Sequence, residues 1–500
     1  MRRSLLPLAV TLSALTLLAV GATVAPSQSS PVFTVNDTTD APDLHLDGAC
    51  ASTHLGFCTL RAAIQEAEHA GGGIVQLPPT GTGDYLLTIP PGDEGTPASG
   101  TFPLWNLGGD LDITSDIRVD GLGSTPFDVV IDGQGTHRIF DVHNACCLPM
   151  PLEHGRGSLW LRNLTLQNGL GDPDPESGHE HGGAIHDHGD LTLSDVAVIN
   201  SSVTAAGWGG GGMTVAGTGV AQLSNVTVAG NSTGLHGGGI ENLGVLRMLG
   251  VTIAENTAPA GKGGGIFLGL PPSGTPPTMG PMAATLVAKN TGGDCAITAG
   301  RVISSGSNLD GNGTCRFTHA SDRTGAPGFD TSGVLGPSFY PLQSTSRAVD
   351  RGVLCQNHDI RGVNRAEDGN GDGVARCDAG SYEREATAPL TCKGAKATIY
   401  VDANGVIVGG PKGKLPYAGA LTGTSGNDVI VGTTGRDRIE ARGGNDLLCA
   451  GESKDLLFGG GGDDKMTGDA GADKFNGGPG NDTATDFNFK YERDTRSSVP

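Results

Sequence analysis

Apolar and polar positions follow one helical period early in this chain and two strand-like repeats after it. From Cys58 the sequence reads CTLRAAIQEAEHAGGG, with Leu60, Ala63, Ile64 and Ala67 at i, i+3, i+4 and i+7. That spacing predicts a helix over about 58–70 with one apolar stripe, ended by Gly71 to Gly73. From about Leu159 short strands follow: LTLQN, VAVIN, VTVAGN, VTIAEN and TLVAKN, ending at Asn168, Asn200, Asn231, Asn256 and Asn290. Between them recur GGAI and GGGI, so that Ile185, Met213, Ile240 and Ile266 stand 28, 27 and 26 residues apart. A repeat of this length, alternating strands with glycine turns, predicts a solenoid with one coil per repeat. Aliphatic side chains then point inward, Thr165, Thr227, Thr252 and Thr285 outward, and the asparagines stack as a ladder at one bend. The helix is expected to cover the open end of the stack, whose strand edges are otherwise unpaired.

From Gly423 the pattern shortens to GTSGNDVIV, GTTGRDRIE, ARGGNDLLC, AGESKDLLF, GGGGDDKMT, GDAGADKFN and GGPGNDTAT. Asp428, Asp437, Asp446, Asp455, Asp464, Asp473 and Asp482 fall nine residues apart, each followed two positions later by an apolar residue from Ile430 to Ala484. Each unit reads as a tight glycine turn and a short strand, and two units make one coil. Glycine permits φ above zero at the turns. The aspartates supply hard oxygens of the kind Ca²⁺ prefers. Ions are expected between units n and n+2, and without them the stacked carboxylates repel, so folding should depend on calcium. Odd units place Asn427, Asn445, Asp463 and Asn481 before the aspartate, whereas even units place Arg436, Lys454 and Ala472 there, with Ser453 in place of a turn glycine. A fixed cation opposes metal binding. Three sites are therefore expected on the odd side, and weak or empty ones on the even side.

The nine-residue units fit G-G-x-G-x-D-x-U-x, and residues 390–486 resemble the RTX (haemolysin-type) calcium-binding repeats. CTLRAAIQEA resembles the start of secreted right-handed parallel β-helix proteins with a CSLREA-type opening. SNLDGNGTCRF from Ser307 and DIRGVNRAEDGNGDGVARCDAGSYE from Asp359 resemble the end of a choice-of-anchor Q domain. These resemblances cover about 32–385 and imply a surface or secreted setting without a particular chemistry. With the periodicities they give an all-β chain: signal peptide 1–25, parallel β-helix 32–388, linker with a Cys-bearing strand 389–420, calcium β-roll 421–486 and tail 487–500.

Composition narrows the function. Glycine makes up 84 of 500 residues and aromatics 4%, which argues against a large helical enzyme core. The net charge of −21 is repelled by phosphate backbones, so cations rather than nucleic acid are the expected partners. MRRSLLPLAVTLSALTLLAVGATVA carries a basic start at Arg2 and Arg3, an apolar run from Leu5 to Val20 and small residues at Gly21, Ala22 and Ala25. It reads as a secretory signal cut near Ala22, because Pro26 disfavours a cut after Ala25. This leader departs from the C-terminal export signal usual among RTX proteins. No later segment is apolar enough to span a bilayer, and the protein is expected to be extracellular, where disulfides are permitted. By proximity the pairs are Cys50–Cys58, Cys295–Cys315, Cys355–Cys377 and Cys392–Cys449, with connectivity open and Cys146 and Cys147 unassigned.

Two further clusters carry candidate chemistry. Asp368, Asn370 and Asp372, followed by Gly373, open like a calcium loop, but Ala379 stands where the closing Glu belongs, and a plain turn is the competing reading. In HEHGGAIHDHGD, strand alternation pairs His179 with His181 and His186 with His188, a zinc candidate set against a solvated polar turn. The functional reading is a secreted calcium-binding protein whose β-helix serves surface or glycan binding. The alternative is a carbohydrate-active enzyme on the β-helix, a pectate-lyase-like lyase or a glycoside hydrolase. Against it, Arg247, Lys262 and Lys289 do not recur at matching strand positions, and no acidic pair can be assigned.

Overall fold

The computed structural model describes residues 30–485, apart from 82, 91–105, 107–108, 145–155, 172–180, 205–208, 331–339, 353–354, 366, 368, 371–374, 385–389, 402–406 and 414, together with 495–498. The expected signal peptide and the pair Cys146 and Cys147 lie outside these residues. Among the described residues the chain is nearly all β, with long parallel sheets and one α-helix, Leu60–His69. No helix there is long and apolar enough to cross a membrane.

The helix starts where Thr59 Oγ1 accepts the N–H of Ala62, an N-cap, and ends before Gly71, which has a positive φ. Leu60, Ala63, Ile64 and Ala67 enter the core of the solenoid, as their spacing requires. The other faces are buried as well, which the apolar stripe alone does not show. Arg61 reaches Asp40 at 2.6 Å and the carbonyl of Gly109 at 2.8 Å, and Glu66 accepts from the N–H groups of Asp47 and Gly48. Loop 40–52 thus wraps the helix and satisfies its polar side chains. At Gly73 the adjoining strand comes so close that a Cβ would lie 2.9 Å from that of Ala67.

Two parallel sheets form the solenoid walls. One runs through Gly72–Leu77, Asp116–Gly121, Ser158–Gln167, Asp190–Ile199 and Val220–Ala229, and continues beyond. The other runs through Leu111–Ile113, Phe140–Val142, Ile185–Asp187, Met213–Val215, Ile240–Asn242, Ile266–Leu268 and Cys295–Ile297. Ile185, Met213, Ile240 and Ile266 lie side by side in register, so each repeat is one coil. Within Ser158–Gln167, Leu159, Leu161, Leu164 and Leu166 are all buried, although strict alternation allows only one parity. The left-handed residue Asn163 resets the phase, and Asp195 and Asn225 do the same in the next two coils.

The asparagine ladder forms, but with three of the five predicted members. Asn231 donates to Asn256 Oδ1, Asn256 to Asn290 Oδ1, and Asn290 to Asp294 Oδ1, each at 3.0 Å. Asn168 and Asn200 stand one position earlier, as left-handed bend residues, and Ser201 takes the ladder place beside Asn231. The threonine column also differs. Thr165, Thr227, Thr252 and Thr285 are buried rather than solvent-facing. At two of them a later segment lies over the wall: Ser381 Oγ contacts Thr227 Oγ1 at 2.7 Å, and its N–H donates to Thr252 Oγ1 at 2.8 Å. All four proximity pairs of cysteines are disulfide-bonded.

The C-terminal units fold into a second, smaller stack. Val429–Val431, Leu447–Cys449, Lys465–Thr467 and Thr483–Ala484 form one parallel sheet; Ala420–Thr422, Arg438–Glu440, Leu456–Phe458, Lys474–Asn476 and Thr495–Ser497 form the other. Ile430, Ile439, Leu448, Leu457, Met466 and Phe475 fill the space between them. Ile399 and Ile407, in the stretch expected to be a linker, share this core, and Ile399 pairs with Ile430 in parallel. Residues from Ile399 onward therefore supply the first layer of the roll, and Cys392–Cys449 ties that layer to the third unit.

Candidate calcium centre

Every unit aspartate is nearly inaccessible to solvent. Their carboxylates line up because the N–H of each is answered by the aspartate one coil further on. Asp428 donates to Asp446 Oδ1 at 2.7 Å, Asp446 to Asp464 at 2.9 Å, and Asp464 to Asp482 at 2.9 Å. On the opposite side Asp437 donates to Asp455 Oδ1 at 2.7 Å and Asp455 to Asp473 at 2.8 Å. One oxygen of each receiving carboxylate is thereby held on the backbone. Among the described residues the second oxygen of Asp446, Asp455, Asp464 and Asp482 is buried with no hydrogen-bond partner. An unpaired buried carboxylate oxygen costs free energy, and a cation is its natural partner.

The electrostatics agree. Burial pushes the carboxyls of Asp446 and Asp455 up to about 6, and the like charges above and below each add to the rise. Burial also raises Asp437 and Asp464. A metal-free ladder thus resists full ionisation.

The turns leave the room a metal needs beside these oxygens. A Cβ at Gly459 would lie 2.3 Å from Asp464 Oδ2, and one at Gly477 would lie 2.3 Å from Asp482 Oδ2. Among the described residues no three His, Cys, Asp or Glu side chains gather on one point. A calcium ion here would therefore draw its remaining oxygens from backbone carbonyls, which the ion accepts readily. The residues fit the ion: Asp446, Asp464 and Asp482 would hold it on one side and Asp455 on the other, where it would neutralise the stacked carboxylates.

In the first two units the turn itself binds the aspartate. Thr424 donates its N–H and hydroxyl to Asp428 Oδ2 at 2.6 and 3.0 Å, and Thr433 does the same for Asp437 at 2.6 and 3.1 Å. Both carboxylates are thus closed by their own turns. The signal was present in the sequence, where Thr replaces the second glycine in these two units.

Asn427, Asn445, Asp463 and Asn481 occupy a separate, exposed column. Asn445 donates its N–H to Asn427 Oδ1, Asp463 to Asn445 Oδ1 and Asn481 to Asp463 Oδ1, at 2.8–2.9 Å. This outer ladder exists on the odd side alone, since Arg436, Lys454 and Ala472 hold the equivalent even positions. In the inner column Asp455 carries the same orphaned oxygen as Asp446. The two sides differ in their outer residues and in the number of orphaned oxygens, with Asp446, Asp464 and Asp482 on the odd side and Asp455 on the even side.

The other candidates are placed as follows. Asp368 and Asp372 lie outside the described residues; the N–H of Asn370 donates to Asp350 Oδ2 at 2.9 Å. His179 lies outside them too. His181 and His186 stack with ring centroids 4.9 Å apart, and His188 meets His186 edge-on at 4.3 Å. Asp141 Oδ2 lies 3.5 Å from His186 Nδ1, and Glu241 Oε1 lies 2.9 Å from His236 Nδ1. The His181 and His186 rings lie nearly parallel, and burial drives the His186 pKa down to about 3, leaving it neutral.

No curated protein and no solved structure matches the chain. Residues 422–457 and 450–484 match the family model of the RTX calcium-binding nonapeptide repeat (four copies), so the segment that carries the carboxylate ladder consists of RTX repeats with a calcium-binding role.

Proposed function

We propose that this chain is an exported protein whose C-terminal roll folds on extracellular calcium and whose β-helix binds glycans or surfaces. The observation that carries the calcium part is the row of buried carboxylate oxygens on Asp446, Asp455, Asp464 and Asp482 that have no partner among the described residues. Four disulfides support an oxidising destination. In the cytosol, where free calcium is low, the stacked carboxylates would keep the roll open, and arrival outside the cell would close it. The long regular face of the β-helix supports the binding part, because a rigid flat surface presents side chains in fixed rows.

A calcium titration of the full chain, followed by calorimetry and circular dichroism, tests the first part. Saturable binding below millimolar calcium with a gain of β signal is expected; no binding at millimolar calcium overturns it. A polysaccharide panel scored for both retention and cleavage tests the second, since release of shortened products would make the β-helix an enzyme instead.

A further inference from the structure

One outward column of the β-helix carries a tryptophan and two arginines. Arg118, Trp160, Thr192, Gln222 and Arg247 lie in register on five successive strands of the long sheet. At about 4.8 Å per strand the column spans roughly 19 Å along the solenoid axis. Trp160, second in the column, is 52% exposed, and among the described residues its ring has neither an aromatic nor a cation–π partner. An exposed indole in line with cationic side chains offers a flat apolar surface beside charge. Arg162, two residues along the same strand, shares the exposed face, and Arg247 is exposed at the far end. The acids nearby are largely engaged: Asp120 by Arg118 at 2.8 Å and Asp190 by Arg156 at 2.8 Å, leaving Asp116 at the margin. Among the described residues the guanidinium groups of Arg162 and Arg247 have no ion-pair partner, in a chain whose net charge is −21.

We propose that this column binds an extended acidic polysaccharide, with a sugar ring stacked on Trp160 and carboxylates or sulfates held by Arg162 and Arg247. The inference rests on the glycan-binding reading above and assigns its site and charge class. Three features of the face fit this occupant. An indole presents a flat apolar surface to the C–H face of a pyranose. Arginine forks match planar oxyanions in two-point contacts. The strand spacing approximates the length of one sugar along an extended chain, so Thr192 and Gln222 meet successive hydroxyls. Neutral glycans would leave the two arginines without a counter-charge.

The test uses the full chain in calcium, with polygalacturonate and heparin as acidic probes and dextran as the neutral one, read by calorimetry and affinity electrophoresis. Wild type should bind an acidic probe, bind dextran at least tenfold more weakly, and lose affinity as salt rises. Trp160→Ala should lower acidic-probe affinity about tenfold, the loss of one stacked ring. Arg162→Gln with Arg247→Gln should remove the preference for charge. Each substituted side chain is exposed, and unchanged circular dichroism confirms an intact fold. Binding of acidic probes that both variants leave unchanged overturns this site and keeps the broader glycan reading. Failure of wild type to bind any probe overturns both. Self-association of wild type that Trp160→Ala abolishes makes the column a contact between copies of this chain and overturns the proposal.

Discussion

Asp446 donates its backbone N–H to Oδ1 of Asp464, one coil further on, while Oδ2 of Asp464 stays buried without a partner. The first contact fixes the carboxylate in the metal-free fold and the second leaves it ready for a cation. Asp464→Asn should therefore act in opposite directions on two measurements. Calcium affinity should fall about tenfold or more, because a charged oxygen ligand is lost. Thermal stability in metal-stripped buffer should rise, because burial no longer penalises a charge there and the repulsion from Asp482 and Asp463 is relieved. A fall in both would mean that the carboxylate is structural and not a calcium ligand.

The same groups give the metal-free roll an acid preference. Asp446 and Asp455 hold protons up to about pH 6 in the fold, against about 3.9 for an exposed aspartate. Between these values the folded state binds more protons than the unfolded chain, so its stability falls as pH rises through that window. Moving from pH 7.5 to 5 in metal-stripped buffer should increase the β signal of the roll and its melting temperature. Calcium affinity should decline across the same interval, as protons compete for the same oxygens. A metal-free roll that melts lower at pH 5 than at 7.5 would contradict the ladder's electrostatics.

Periodicity made much of this architecture legible. The apolar stripe of the helix, the coil length and the nine-residue aspartate ladder are all local patterns, and each appears where its spacing puts it. What escaped depends on contacts between distant positions. Ser381 lies 129 residues from Thr252, and no local pattern shows that it covers the threonine column. The asparagine ladder slipped by one residue at Asn168 and Asn200 because asparagine serves both as a ladder rung and as a left-handed bend residue. Trp160 was readable in principle, since SLWLRNLTLQ places it and Arg162 on the polar phase of an otherwise alternating strand. Thr424 and Thr433 were visible as departures from the glycine repeat, but their hold on Asp428 and Asp437 needed the geometry.

The two sides of the roll offer a direct contrast. The charges of Arg436 and Lys454 oppose an ion on the even side, whereas Asp446 and Asp455 carry equivalent orphaned oxygens. Asp446→Ala should cost more calcium affinity than Asp455→Ala if the outer cations decide occupancy. Calorimetric stoichiometry of the two variants separates the cases, and equal losses would give the buried carboxylates the deciding role.

The Cys392–Cys449 bond closes a long loop around the start of the roll, with its partners 57 residues apart. In the chain-entropy picture such a cross-link disfavours the open state by about 4 kcal/mol. Cys392→Ser with Cys449→Ser should then raise the calcium concentration needed for folding, with little change once the ion is saturating. Far-UV titrations of the two proteins side by side check this, and coincident midpoints would show that the first layer docks without its staple.

Arg365 anchors the segment that covers the threonine column. It is buried, and its guanidinium donates to Asn225 Oδ1 at 3.0 Å, to the carbonyl of Gly380 at 2.7 Å and to that of Asp378 at 3.2 Å. Glu383 lies 3.6 Å away, pushed up to about 7 by its own burial. Asn225 is the left-handed residue that resets the strand phase, so one side chain joins the bend of the coil to the covering segment. Removing a buried, paired cation leaves its partners unsatisfied and costs roughly 3–5 kcal/mol. Arg365→Leu should lower stability by about that amount in denaturant melts of the calcium-loaded protein. Hydrogen exchange should quicken at Ser381, whose N–H is held by Thr252, and leave the roll unchanged. Unaltered protection at Ser381 would mean that the cover is held by its apolar contacts at Leu342 and Ala379 instead.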